Sequence, residues 1–161
     1  MSFPYTIETD PEKVDYQQVA DVLHKAGLSS HHDAEMQEKV FKNSDVTLFI
    51  KDKDRVIGVG RALSDGYTQA AIYNVAVDPD YQGQHVGHTL ITTLLDKLKG
   101  QNIILYTHPQ TLTLYEHYGF RRNKTAFAHF GDATSDGFRW MEEEGFFLPE
   151  GYRFESEIGR Y

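Results

Sequence analysis

The segment running from Gln69 to Gly100 changes its hydrophobic period partway along, and this switch limits the architecture more than any other feature. Gln69–Asp78 reads as a strand, and Asp78-Pro79-Asp80 breaks it. A glycine-containing loop then opens directly into a helix over Gln84–Lys99, with Val86, Leu90, Leu94 and Leu98 on one face and Gly100 as its stop. The same transition recurs more briefly: Asn102–Thr107 reads as a short strand, and Pro109–Tyr118 as a helix ending at Gly119.

Upstream of the switch the pattern is different. Phe3–Ile7 reads as a first strand. Pro11–Ala26 reads as a helix with an apolar stripe of Tyr16, Val19, Ala20 and Leu23, Pro11 in its first turn and Gly27 after it. A second helix is expected over His31–Lys42, capped by Ser30. Val46–Lys51 and Arg55–Ser64 are strand-like runs joined through Asp52-Lys53-Asp54, and Asp65-Gly66 marks the next turn. Arg121–Phe130 offers one or two further strands. A strand meander followed by strand–helix–strand–helix–strand predicts an α/β (α+β) fold with one mixed sheet.

Composition narrows the function classes. The chain has 161 residues, enough for one domain with a sizeable core, and no cysteine. That removes a disulfide scaffold, a thiol nucleophile and a cysteine zinc site, and suits a cytoplasmic, reducing setting. No apolar run approaches a membrane span, and no signal-peptide pattern opens the chain. A net charge of −8 disfavours nucleic acid and anionic lipid as partners and suits a cationic ligand. The charge is uneven: residues 1–130 carry −3, and residues 131–161 carry −5. The latter segment also holds Phe138, Trp140, Phe146, Phe147, Tyr152, Phe154 and Tyr161, which predicts a folded or docked element rather than a disordered tail.

The loop after the switch is the chemical feature. Gly83 and Gly87 permit close backbone approach, and the free N–H groups at the start of the following helix suit a phosphate or pyrophosphate. A dinucleotide fingerprint G-x-G-x-x-G is absent, and no Gly-Lys-Ser/Thr follows to make a P-loop. The plain alternative is an ordinary strand–turn–helix. His31-His32-Asp33 does not have chelating spacing, because adjacent helical residues point in different directions, and no metal is expected. His117 and His129 have no evident partner pattern.

Two motifs carry a resemblance. Gln82-Gly83-Gln84-His85-Val86-Gly87 occupies the six positions of the signature Gln/Arg-x-x-Gly-x-Gly/Ala, and Tyr115-Glu116-His117-Tyr118-Gly119-Phe120 matches Tyr-x-x-x-Gly-Phe. Their order and context resemble the GNAT superfamily of N-acetyltransferases over roughly Phe3–Phe130. Gly58–Gly87, including Gly60-Arg61-Ala62-Leu63-Ser64-Asp65-Gly66 and Ile72-Tyr73-Asn74-Val75, is similar to the plant and cyanobacterial aralkylamine (serotonin-type) branch, which often has Asp where this chain has Asn74. The resemblance implies a mostly antiparallel twisted sheet flanked by helices and splayed between two central strands. It divides the chain into an acetyltransferase domain, 1–130, and an acidic aromatic C-terminal extension, 131–161.

It also implies acetyl-CoA as cosubstrate and an amine, either small or a lysine or N-terminal amine of a protein, as acceptor. The backbone of Val75, Ala76 and Val77 would pair with the pantetheine arm, and Gln82, Gly83, Gln84, His85, Val86, Gly87 and His88 would hold the pyrophosphate. The Val75 N–H would polarise the thioester carbonyl as an oxyanion donor. Tyr115 matches the general acid at the cofactor sulfur, with a core aromatic as the plain alternative, and Tyr118 would pack. The base stays open: Asn74 can orient the amine or a water, His108 is the titratable candidate, and a water chain is the third option. His85 stands where the signature has glycine, and helical dihedrals with the ring turned away are expected there. With no cysteine for an acyl-enzyme, direct attack in a ternary complex is the expected route. A non-catalytic acyl-CoA-binding sensor is the rival reading. The tail is expected to wall a cationic acceptor pocket or to join subunits into a homodimer.

Overall fold

The computed structural model describes residues 2–28 and 33–157. The expected cap Ser30, the His31-His32 pair and Tyr161 lie outside the described residues. Two compact units divide the chain, residues 1–105 and residues 106–161.

The first unit is built on a five-stranded sheet of β1 (Thr6–Glu8), β2 (Val46–Asp52), β3 (Arg55–Ser64), β4 (Gln69–Val77) and β5 (Asn102–Ile104), in that spatial order. The first three pairings are antiparallel and β4–β5 is parallel. Three helices accompany it: α1 (Tyr16–Lys25), α2 (Ala34–Lys42) and α3 (Val86–Lys97). A parallel pair needs a crossover, and α3 supplies it between β4 and β5. The mixed, mostly antiparallel sheet is therefore the predicted one.

Helix α1 starts later than its pattern suggests. Asp15, not Pro11, sets the N-terminus by accepting the Gln17 N–H at 2.9 Å, while Pro11 lies in the preceding turn. Its C-terminus closes with the Leu28 N–H on Leu23 O and the Gly27 N–H on His24 O, with Gly27 at φ +77°. Asp33 caps α2 through the Met36 N–H, so that helix begins at Ala34. Tyr16, Val19, Val22 and Leu23 of α1 pack with Phe41, Phe49, Val56, Val59 and Ala76 in one buried cluster. The apolar face of α3, with Val86, Leu90, Leu94 and the following Leu98, is also fully buried. Strand alternation separates the two layers: Val59 joins the α1 cluster, while Gly58 and Gly60 lie against α3 side chains.

The second unit holds α4 (Leu112–His117), entered through a 3₁₀ turn at Pro109–Thr111, and α5 (Asp136–Glu143). Ser135 caps α5 through the Phe138 N–H at 3.1 Å. Phe130, Phe138 and Phe147 pack together with ring centroids 5.0–5.5 Å apart, so Phe138 and Phe147 of the acidic segment belong to a packed aromatic cluster. Arg121–Phe130 forms no strand, contrary to expectation. Asn123 Oδ1 accepts both the N–H and the hydroxyl of Thr125, a local turn that competes with extended pairing, and Phe127 is fully exposed. Among the described residues no helix is long and apolar enough to cross a membrane.

Candidate active site

The sheet opens beside β4. Strand β5 pairs with β4 only at Gln69, Ala70 and Ala71, opposite Asn102, Ile103 and Ile104. From Asn74 to Val77 the same edge of β4 pairs with no strand among the described residues of its unit, although its other edge stays paired with β3. Val75–Val77 is thereby an extended backbone edge outside the β4–β5 ladder, of the kind that can accept another chain of amides.

A bulge lies within that stretch. Val59 opposes Ala76 and Arg61 opposes Tyr73, so Asn74 and Val75 together face Gly60. Asn74 takes φ +55°, a left-handed conformation that Asn tolerates better than most side chains. Arg61 Nε donates to Asn74 Oδ1 at 2.6 Å. Asn74 is thus both the bulge residue and the acceptor for a guanidinium. Asn74 and Val75 are half-buried. The sequence reading treated Asn74 only as a polar group at the reacting centre and missed the bulge.

The strand ends on an anchored turn. Asp78 is almost wholly buried, with its carboxylate 3.0 Å from Arg55 Nη2 and 3.5 Å from Lys25 Nζ, and it accepts the Asp80 N–H at 3.0 Å. A buried carboxylate needs such partners. Tyr81 donates to Asp52 at 2.8 Å, and its phenol is pushed up by that bond. Tyr5 donates to Gln84 Oε1, and its ring meets Tyr81 edge-on at 5.7 Å. These bonds hold the loop Gln82–Gln84 from both sides.

The loop then turns sharply into α3. Gly83 has φ +80° and His85 has φ +66°, ψ +13°. His85 is the N-cap in the left-handed region, not the helical residue expected, which explains why glycine suits the position. Histidine is among the side chains found there more often than most. The first helical bond of α3 runs from the Thr89 N–H to His85 O at 3.0 Å. The N–H groups of Val86 and Gly87 precede it at the N-terminus of a 12-residue helix, where the helix geometry supplies them no intrahelical acceptor. The exposed rings of His85 and His88 flank this end, 6.4 Å apart.

Two glycines set how close α3 lies to the sheet. A Cβ on Gly58 would meet Val86 Cγ1 at 2.7 Å, and one on Gly60 would meet Leu94 Cδ1 at 3.2 Å. Sequence reasoning did not assign these residues a role. Glycines alternating within a strand were the available signal for close approach.

The other candidates belong to the second unit. Tyr115 is half-buried on α4, with its ring edge-on to Phe120 at 5.6 Å. Burial, and to a smaller degree Tyr118, pushes its phenol up, so it holds its proton at neutral pH. Gly119 follows α4 at φ +88°, and the Phe120 N–H returns to Tyr115 O at 3.2 Å. His108 caps the 3₁₀ turn: its Nδ1 accepts the Gln110 N–H at 3.1 Å, and its Nε2 lies 3.5 Å from Glu144 Oε2. Trp140 and Phe146 enclose the ring at 6.0 and 5.6 Å. Among the described residues no cluster of three or more His, Cys, Asp or Glu could hold a metal ion.

Comparison with known proteins agrees with this geometry. The family model described as "Acetyltransferase (GNAT) family" matches residues 14–120. A histone acetyltransferase of Glycine max is 40% identical over 72 residues, 43% of this chain and 31% of that protein. A chloroplastic GCN5-related N-acetyltransferase of Arabidopsis thaliana is 37% identical over 73 residues, 44% of this chain and 28% of that protein. The matched segments thus span about a third or less of either relative. The solved structure of a GNAT-family acetyltransferase from Streptococcus pneumoniae superposes with a TM-score of 0.66 at 25% identity, covering 78% of this chain and 97% of that one. The chain belongs to the GNAT acetyltransferase family.

Proposed function

We propose that this chain transfers the acetyl group of acetyl-CoA to a primary amine by direct attack within a ternary complex. The observation that carries the reading is the stretch of β4 at Val75–Val77, which lies outside the β4–β5 ladder and runs directly into the left-handed loop and the Val86 and Gly87 N–H groups at the start of α3. An extended edge suits the amides of the pantetheine arm, here through Val75, Ala76 and Val77. The donors of Gln82–His88 suit the pyrophosphate.

The bulge turns the backbone at Asn74–Val75, and the Val75 N–H serves as the donor to the thioester oxygen as negative charge develops there. As the C–N bond forms and the C–S bond breaks, Tyr115, kept protonated by burial, donates its proton to the departing thiolate, and the proton that the attacking nitrogen sheds returns to the phenolate through water. The amine must reach the site neutral. In this reading its proton leaves through water, because His108 Nδ1 is already engaged by Gln110 and Nε2 faces Glu144. His108 and Asn74 then orient the acceptor or a water. Residues 1–130 form the acetyltransferase part, and 131–161 an acidic extension that draws a cationic acceptor or joins two copies. The cysteine-free chain suits the cytoplasm.

The test is release of the CoA thiol from acetyl-CoA across polyamines, arylalkylamines, free amino acids and lysine peptides. Turnover on one of these amine classes is expected. Tight acetyl-CoA binding with no turnover on any of them would instead favour an acyl-CoA sensor.

A further inference from the structure

Arg61 lies on β3 directly opposite Tyr73 of β4, so the two side chains share one face of the sheet. Its guanidinium reaches Asn74, Ser44 and Tyr73. Nε donates to Asn74 Oδ1 at 2.6 Å, Nη1 lies 3.3 Å from Ser44 Oγ, and the guanidinium carbon stands 5.0 Å from the centroid of the Tyr73 ring. A planar fork that donates in two directions and also stacks on an aromatic ring is held more rigidly than an ammonium would be. The Asn74 side chain is thus tied to a fixed point on the neighbouring strand.

The backbone consequence is specific. Asn74 is at φ +55° within the bulge, a conformation that costs energy for any residue with a Cβ. The peptide between Asn74 and Val75 carries the Val75 N–H, and its orientation follows ψ of Asn74. Releasing Oδ1 lets Asn74 relax and turns that peptide. We propose that Arg61 is a positioning residue: it holds Asn74 left-handed and so aims the Val75 N–H at the thioester carbonyl oxygen of the cofactor. This rests on the reading of Val75 as the oxyanion donor.

The proposal separates polarisation of the thioester from affinity for the cofactor. The donors assigned to the pyrophosphate lie on Gln82–His88, after β4 ends at Val77, whereas Arg61 stands opposite Tyr73 within the strand. Loss of Arg61 should therefore spare acetyl-CoA binding and lower kcat, by about 10- to 100-fold for a misdirected group of this kind.

The experiment is isotope-edited infrared spectroscopy of acetyl-CoA labelled with ¹³C at the thioester carbonyl. It is read on the wild-type chain, Arg61→Lys, Asn74→Gly and the double variant, with acetyl-CoA affinity measured in parallel. Asn74→Gly keeps a left-handed backbone accessible while removing the acceptor, so it guards against a folding artefact. Bound wild type is expected to lower the carbonyl stretch relative to free acetyl-CoA. Arg61→Lys and Asn74→Gly should each lose most of that shift at unchanged affinity, and the double variant should lose no more than the larger single loss. A full carbonyl shift in Arg61→Lys, or additive losses in the double variant, overturns the role of Arg61 through Asn74. Wild type that fails to bind acetyl-CoA, or binds it with no carbonyl shift, overturns the underlying reading instead.

Discussion

A Cβ placed on Gly58 would come within 2.7 Å of Val86 Cγ1, a separation that real side chains do not tolerate. Val86 is buried and β-branched, and it is the first residue of α3. It cannot swing aside, so the helix must move. Gly58→Ala should cost about 1–3 kcal/mol in stability, as overpacking does. It should also weaken acetyl-CoA binding if the displaced end of α3 holds the pyrophosphate as proposed above. Urea denaturation and calorimetric titration with acetyl-CoA check the two effects. Unchanged stability would mean that α3 accommodates the methyl group.

His85 permits a sharper comparison between two substitutions. Its φ of +66° is costly for alanine and free for glycine. His85→Ala should be less stable than His85→Gly by about 1 kcal/mol. Acetyl-CoA affinity should survive in His85→Gly, since the backbone donors remain. Equal urea midpoints for the two variants would remove the conformational argument.

Tyr115→Phe should lower kcat by about 10²-fold or more while leaving acetyl-CoA binding little changed. The phenol is raised above its ordinary value of 10.0 by burial, so the protonated, donating form persists through neutral pH and titrates only in strong alkali. A wild-type rate that fell near pH 8 would therefore have another cause. Unchanged turnover in Tyr115→Phe would remove the acid role.

Tyr16 offers a stability test independent of function. Burial pushes its phenol up to about 12, and its hydroxyl donates to Pro11 O at 2.7 Å. A folded-state value above the unfolded one means the contribution is fully present below about pH 10. It is then lost as pH rises from about 10 to about 12. Tyr16→Phe should cost about 1 kcal/mol at neutral pH and flatten that alkaline decline. Denaturant unfolding at neutral pH and in the alkaline range reads both.

Much of the fold was legible because its causes are local. The stripe of Tyr16, Val19, Ala20 and Leu23, and that of Val86, Leu90, Leu94 and Leu98, recur at helical spacing, and all eight are buried. The runs at β2, β3 and β4 stood out from their turns, and Asp65-Gly66 marked one correctly, with Asp65 accepting the N–H groups of Tyr67, Thr68 and Gln69. Helix starts were less legible. Asp15 caps α1 four residues after Pro11, which the pattern places in the first turn, and Asp33 caps α2. Several residues can begin a helix, and only the one whose carboxylate reaches the free N–H groups does.

The sequence by itself determined the order of strands and helices from β1 to α4, the apolar faces of α1 and α3, and the loop Gln82–Gly87 at the head of α3. Those follow from neighbours along the chain. The sequence pattern misassigned Arg121–Phe130 as strand and did not show α5. Tertiary structure decided where β5 stops pairing with β4, that Asn74 bulges, that His85 turns left-handed, and that Gly58 must lack a side chain. Each of these depends on a match between segments distant in sequence: two strands of unequal residue count, or a helix pressed onto a sheet. No spacing within either segment records the other, which is why the chemistry-bearing loop could be read in advance and the backbone geometry that arms it could not.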